Sequence, residues 1–96
     1  MVTLLIEYQV PDFDEWKEVF DRDPLGRRRH GATGHTIDRD ARDRNHFLLG
    51  ITFPTARAAV AFRDQPAFQQ VWEMSGAGHS WITEPVDTAT YDEEHR

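Results

Sequence analysis

The chain contains no cysteine. That excludes a disulfide framework, a thiolate metal site, an iron–sulfur cluster and a cysteine nucleophile, and it suits a reducing compartment. Positive charge is in short supply: 11 Lys and Arg stand against 17 Asp and Glu, a formal charge of -6. There is no broad cationic footprint for a polyphosphate, so nucleic acid is not expected as a partner. No apolar run approaches the roughly 20 residues that a bilayer span needs. The nearest candidate, the N-terminal MVTLLIEYQV, has no basic stretch before it and no small-residue cleavage site after it. It reads as the first strand of a cytoplasmic protein with no membrane partner. The glycines form neither a dinucleotide nor a P-loop fingerprint, and no nucleophile elbow is present. No close set of His and carboxylates has a recognised ligand spacing, so neither a metal nor another cofactor is expected. Without an internal repeat, linker or low-complexity tract, residues 1–96 are expected to form one domain, with 92–96 as a frayed tail.

What is present has the order βαββαβ. From Val2 to Gln9 the residues alternate, with Val2, Leu4, Ile6 and Tyr8 on one face and Thr3, Leu5, Glu7 and Gln9 on the other, the pattern of a strand. Asp12 with Glu15 three residues on is an Asp-x-x-Glu capping box that starts a helix, and Phe13, Trp16, Val19 and Phe20 form its apolar stripe. Pro24 breaks or kinks that helix, and a short continuation is expected to run to the Arg27 to His30 cluster, where Gly31 stops it. A second strand is expected within Ala32 to Arg39. A polar hairpin loop over Asp40 to Asn45 then leads to a third, antiparallel strand over His46 to Phe53. Thr55 caps an alanine-rich helix that runs through Arg63, with Ala59 and Phe62 on one face. Pro66 restarts a helical piece striped by Phe68, Val71 and Trp72. The last strand is expected over His79 to Tyr91, with Pro85 marking an edge position or a change of partner.

Two helices cover one face of a four-stranded sheet, and the other face of a soluble monomer should then be polar. Here it is mixed. Leu5 shares a face with Thr3, Glu7 and Gln9, while Leu48 and Gly50 share one with His46 and Thr52. A second sheet packed on that surface, in a symmetric homodimer, would keep its apolar part from water. A lining of this kind suits a small-molecule pocket, or equally the polar rim of a filled interface.

The segment Val10-Pro-Asp-Phe-Asp-Glu-Trp-Lys-Glu-Val-Phe, the Arg27 to Gly31 run, Asp43-Arg-Asn45 before a strand, and Ala58 to Phe62 before Gly76-Ala-Gly78 carry a resemblance across nearly the whole chain. It resembles the dimeric α+β barrel superfamily, near the small bacterial antibiotic-biosynthesis monooxygenases and polyketide cyclases. The resemblance implies an α+β, ferredoxin-like protomer whose four-stranded antiparallel sheet pairs with a second copy into a barrel. It also implies a ligand cavity between sheet and helices or inside the barrel. Some members of the group oxidise or cyclise aromatic polyketides without a bound cofactor, and some degrade haem. No catalytic motif of the group carries over residue by residue.

The candidate chemistry rests on a few residues. His35 lies mid-strand among Thr33, Gly34 and Thr36, small neighbours that leave room for a ligand beside a group able to move a proton near neutral pH. It also fits a solvent-facing edge histidine. His79 and Trp81 follow a glycine-rich turn and offer a proton carrier and an aromatic wall, or a strand-end histidine and a core tryptophan. Glu7 and Arg39, if both point inward, supply a base and an anion clamp, since apolar walls raise a carboxylate pKa; a cross-strand ion pair is the alternative. Phe68 and Trp72, like Trp16, Phe20 and Phe62, are core residues by spacing that can also wall an aromatic pocket. The Arg27 to His30 run is accounted for as a solvated helix end, though it could meet a carboxylate or phosphate.

The leading expectation is a cofactor-independent cyclase or monooxygenase acting on an aromatic or polycyclic small molecule, with acid/base catalysis by His35, His79 or Glu7 and ligand contacts from Arg39, Trp81, Trp72 and Phe68. The alternatives are a non-catalytic dimer that binds a small molecule or a partner, and a haem-binding or haem-degrading protein with a histidine as axial ligand.

Overall fold

Alternation along two central strands generates the fold. The computed structural model describes residues 1–68, 70 and 76–92. In β1 (Val2–Gln9) the side chains of Val2, Leu4, Ile6 and Tyr8 are buried, and in β3 (His46–Phe53) so are Phe47, Leu49, Ile51 and Phe53. The antiparallel register sets Leu4 opposite Ile51, Ile6 opposite Leu49 and Tyr8 opposite Phe47, so the two sets fuse into one apolar surface. The edges are β2 (Gly34–Arg39) beside β3 and β4 (Ala77–Thr83) beside β1, giving the antiparallel order β2-β3-β1-β4 of a ferredoxin-like α+β protein.

Both helices lie on the apolar face. In α1 (Phe13–Asp21) the expected cap is made: Asp12 Oδ1 accepts from the amides of Asp14 at 2.9 Å and Glu15 at 3.4 Å. The hairpin loop clamps the same end. Asn45 Oδ1 accepts from the Phe13 amide at 2.9 Å, and its Nδ2 donates to the Pro11 carbonyl at 3.1 Å. From α1, Trp16 packs on Phe47 at 4.5 Å and Tyr8 at 5.0 Å between ring centroids. For α2 (Ala56–Asp64) the expected Thr55 cap is also made, its Oγ1 accepting from the Ala58 amide at 3.1 Å. The helix ends at Gln65, whose backbone is extended with ψ 140°, because the residue before a proline is pushed out of the helical region. Helical backbone resumes at Pro66 and includes Phe68; Val71, Trp72 and residues 93–96 of the tail lie outside the described residues.

Two expectations are corrected. The first helix does not continue to His30. It ends at Asp21, and residues 24–31 form turns, with Asp23 at φ 52° and Gly26 at φ 64° reversing the chain. The last strand does not reach Tyr91. It pairs only with β1, and Thr83 already lies opposite Thr3, so the ladder stops where β1 begins. Residues 84–92 follow as exposed chain without regular structure.

Phe62 is fully buried against Phe53 at 5.4 Å and Phe68 at 5.7 Å. Phe62→Ala is expected to cost about 3–5 kcal/mol of unfolding free energy, while Val60→Ala on the exposed side of α2 should stay within about 0.5 kcal/mol. Urea denaturation followed by far-UV circular dichroism measures both; equal effects would contradict this packing.

Candidate functional site

On the helix side, the sheet and helices leave an apolar cavity of about 90 Å³, walled in part by Ile6, Tyr8, Trp16, Phe20, Leu49 and Phe68. Beside it runs a polar groove of about 460 Å³, formed by Asp21, Asp23, Arg27, Arg28, Thr33 and His35 among others. Arg27 lines both spaces.

The turns after α1 put Arg27 there. Its amide donates to Asp23 Oδ1 at 2.9 Å, and its Nη1 donates to the Phe20 carbonyl at 3.0 Å. That carbonyl lies in the last turn of α1, where main-chain acceptors lack helical partners, so the side chain acts as a cap. The guanidinium lies 3.6 Å from the centre of the Phe20 ring, a close cation–π contact. Its side chain is 16 % exposed, with Asp23 Oδ1 at 3.5 Å as its counter-ion. Sequence reading assigned the Arg27 to His30 run to a helix end in water. The reversal at Asp23 and Gly26, for which helical periodicity gives no signal, turns Arg27 inward instead.

His35 meets the same ring. It sits opposite Ile51 on the helix-facing side of the sheet, its imidazole edge-on to Phe20 with centroids 4.9 Å apart. Burial, then the positive charges of Arg27 and Lys17, holds its pKa below the ordinary 6.5, with Asp21 opposing. At neutral pH it is an uncharged imidazole, able to accept a proton beside a fixed cation.

The other face of the sheet carries a second constellation. His46 Nε2 lies 2.9 Å from Glu7 Oε2, its Nδ1 lies 3.2 Å from Asp40 Oδ2, and His79 Nδ1 lies 3.4 Å from Glu7 Oε1. A bulge in β4 brings His79 there, since Ile6 pairs with Ser80 but Tyr8 with Ala77, leaving Gly78 and His79 opposite Glu7. Trp81 is 46 % exposed and stacks on His79 at 5.9 Å. The hydrogen bonds to Glu7 and then Asp40 raise the His46 pKa. Glu7 is lowered chiefly by His46, and Asp40 by the Arg42 amide and then His46.

The predicted residues therefore divide. Glu7, His79 and Trp81 share the open face with His46 and Asp40, while His35 and Phe68 belong to the helix side. Arg39 is also on the helix side, 5.0 Å from the Phe13 ring centre, and its strand pairs with β3 rather than β1. The joint inward placement of Glu7 and Arg39 is corrected on both counts. Trp72 lies outside the described residues. Alternation already set His46 beside Glu7 on one face; Asp40, in a loop, had no such signal.

No protein-family model and no curated protein matches the chain. Solved structures do. A mutant form of SnoaB from Streptomyces nogalater, a cofactor-independent oxygenase, superposes with a TM-score of 0.72 at 20% identity, over 91% of this chain and 94% of that one. A Bordetella bronchiseptica protein named after the antibiotic biosynthesis monooxygenases gives 0.64 at 17%, over 92% and 97%. One from Deinococcus radiodurans, named likewise, gives 0.63 at 14%, over 96% and 99%. The fold is that of the antibiotic biosynthesis monooxygenases. The ferredoxin-like expectation is met in order, spacing and sheet topology. Among the described residues no helix is long and apolar enough to cross a membrane, and no group of three His, Asp or Glu is arranged to hold a metal ion.

Two pH effects follow. Because the His46 pKa is raised, its contribution to stability is complete below the ordinary imidazole value of 6.5 and is lost as pH climbs through the folded value. Because the Glu7 pKa is lowered, its contribution is complete above the ordinary 4.5 and is lost as pH falls through the folded value. The difference in thermal midpoint between wild type and His46→Gln should therefore peak between those two ordinary values and shrink on either side; a pH-independent difference would contradict the charge pairing. His35 has the opposite sign to His46. Its ring resonances should titrate by NMR below the ordinary 6.5, and Arg27→Met should move that titration upward.

Proposed function

We propose that this chain, acting as one domain over residues 1–96, is a cofactor-independent oxygenase or cyclase for an aromatic or polycyclic small molecule, and that it works as a homodimer in the bacterial cytoplasm. The observation that carries the reading is the junction of the two helix-side spaces, where the uncharged His35 and the charged Arg27 meet on the ring of Phe20. An aromatic end enters the cavity beside Trp16 and Phe20, and the polar remainder of the substrate lies in the groove. The cavity alone, at about 90 Å³, takes only part of a polycyclic ring system, since drug-sized ligands occupy about 300–1,000 Å³.

In this reading His35 accepts the proton of a phenol or enol, and Arg27 stabilises the resulting oxyanion. The electron-rich anion is itself the reductant for dioxygen. A ring CH₂ becomes a carbonyl with one oxygen atom, and its two hydrogens leave with the other as water, so no external electron donor is required. Without dioxygen, the same enolate can attack a carbonyl of its own chain and close a ring, which is the cyclase variant. SnoaB, of matching fold, is described as a cofactor-independent oxygenase, which supports the first.

The homodimer rests on the open face, where Leu48 and Trp81 are 37 % and 46 % exposed and, among the described residues, no helix lies over them. Pairing would bury this apolar surface.

The test uses a hydroxylated anthrone, with tryptophan fluorescence reporting binding and an oxygen electrode with product mass reporting turnover. His35→Ala should lower turnover by about 10²–10⁴-fold while leaving binding within a fewfold, and Arg27→Met should lower both. Saturable binding without product would move the assignment to a non-catalytic binding protein, and full turnover by His35→Ala would remove that imidazole from the mechanism.

A further inference from the structure

The groups Asp40, His46, Glu7 and His79 follow the order of the sheet. Asp40 sits just beyond β2, His46 on β3, Glu7 on β1 and His79 on β4, so the row crosses all four strands on the open face. Its members alternate acid and imidazole. The apolar groups on the same face are Leu5, Leu48 and Trp81, with Leu48 directly opposite Glu7 and Trp81 opposite Leu5.

We propose that this row makes the pairing of two copies through the open face proton-dependent, with association tight while His46 carries its proton and weak once it is lost. The inference rests on the homodimer reading and adds a control to it. A second copy is the occupant because the row is self-complementary. A two-fold axis parallel to the strands reverses it, setting the Asp40 end of one copy against the His79 end of the other.

The sign follows from the neighbours of His46. From β1 it faces Glu7, from the β2–β3 connection Asp40, and Asp38 and Arg39 border the same hollow. Along β1, Gln9 Nε2 donates to Asp43 Oδ2 at 3.3 Å, and from β4 His79 reaches only Glu7 among these groups. The Arg39 guanidinium turns away from His46, to 5.0 Å from the centre of the Phe13 ring. The charged groups in ion-pair contact with His46, Glu7 and Asp40, are therefore both acidic. With His46 protonated, Glu7 and Asp40 share an imidazolium; deprotonation leaves two carboxylates facing each other across a neutral ring. A second sheet laid over them removes the water that screens them, and uncompensated charge in an interface opposes association. Raising the pH therefore loosens the pair.

Sedimentation equilibrium of the full chain at pH 6, 7.5 and 9, at one ionic strength, tests this, with circular dichroism confirming folding at each pH. The wild-type dissociation constant should rise roughly ten- to a hundredfold from pH 6 to 9, about one decade per pKa unit of coupling at each His46. His46→Gln should abolish the slope, and Glu7→Gln, which removes one of the facing charges, should reduce it. Dimers with a flat or inverted wild-type profile, or a slope that survives in His46→Gln, would overturn the inference while leaving the homodimer standing. Monomers at every pH would overturn the homodimer and the inference with it.

Discussion

The register between β1 and β3 is the constraint on which the rest depends. Side chains along a strand alternate between faces, so sliding one strand by a single residue would exchange the two faces completely. Leu4, Ile6 and Tyr8 would turn outward, and Glu7 would enter the core without a partner. Native register instead stacks the apolar sets of both strands under the helices and delivers Glu7 and His46 together to the opposite side. The hydrophobic effect selects this register, and the two candidate surfaces are its by-products. Neither helix-side cavity nor open-face row would exist in a slipped sheet.

On the helix side, the end of α1 and the candidate chemistry share one residue. Phe20 is buried in the last turn; its carbonyl takes Arg27 Nη1, and its ring lies under the same guanidinium and against His35. A helix terminus needs acceptor capping, and Arg27 supplies it by folding back over the turns at Asp23 and Gly26. The same fold-back puts a positive charge close enough to His35 to lower its pKa. Termination of the helix and tuning of the imidazole are thus one structural event. Changing the turn would alter both.

The legible part of the molecule was the part written in local periodicity. The two-residue alternation of Val2 to Gln9 and of Phe47 to Phe53, the caps at Asp12 and Thr55, and the break at Pro66 each state a local preference that packing reinforces, and each is where the sequence places it. Two-face bookkeeping on β1 and β3 also anticipated that Glu7 and His46 share a side. The rest depended on long-range geometry. That Arg39 is separated from Glu7 follows from strand order, since β2 pairs with β3, and strand order is not encoded in any window of residues. Nor is the inward turn of Arg27, which needs two left-handed backbone conformations in succession. Asp40 joined the row through a hairpin whose reach only the folded chain defines.

The two faces push their histidines in opposite directions, and the roles proposed for them differ accordingly. A general base must be uncharged at working pH and must meet its substrate where water is scarce. His35 meets the first requirement, because partial desolvation and the neighbouring cations disfavour its protonated form, and it lies exposed in the groove beside the apolar cavity. His46 is held the other way, between two carboxylates that favour the proton. A group clamped in that form is poorly suited to take up another proton at mildly acidic pH, but well suited to join charged strands whose surface must be neutralised before it is covered. The proton chemistry proposed for the helix side and the association proposed for the open side therefore rest on one electrostatic asymmetry, itself set by which residues the β1–β3 register sends to each face.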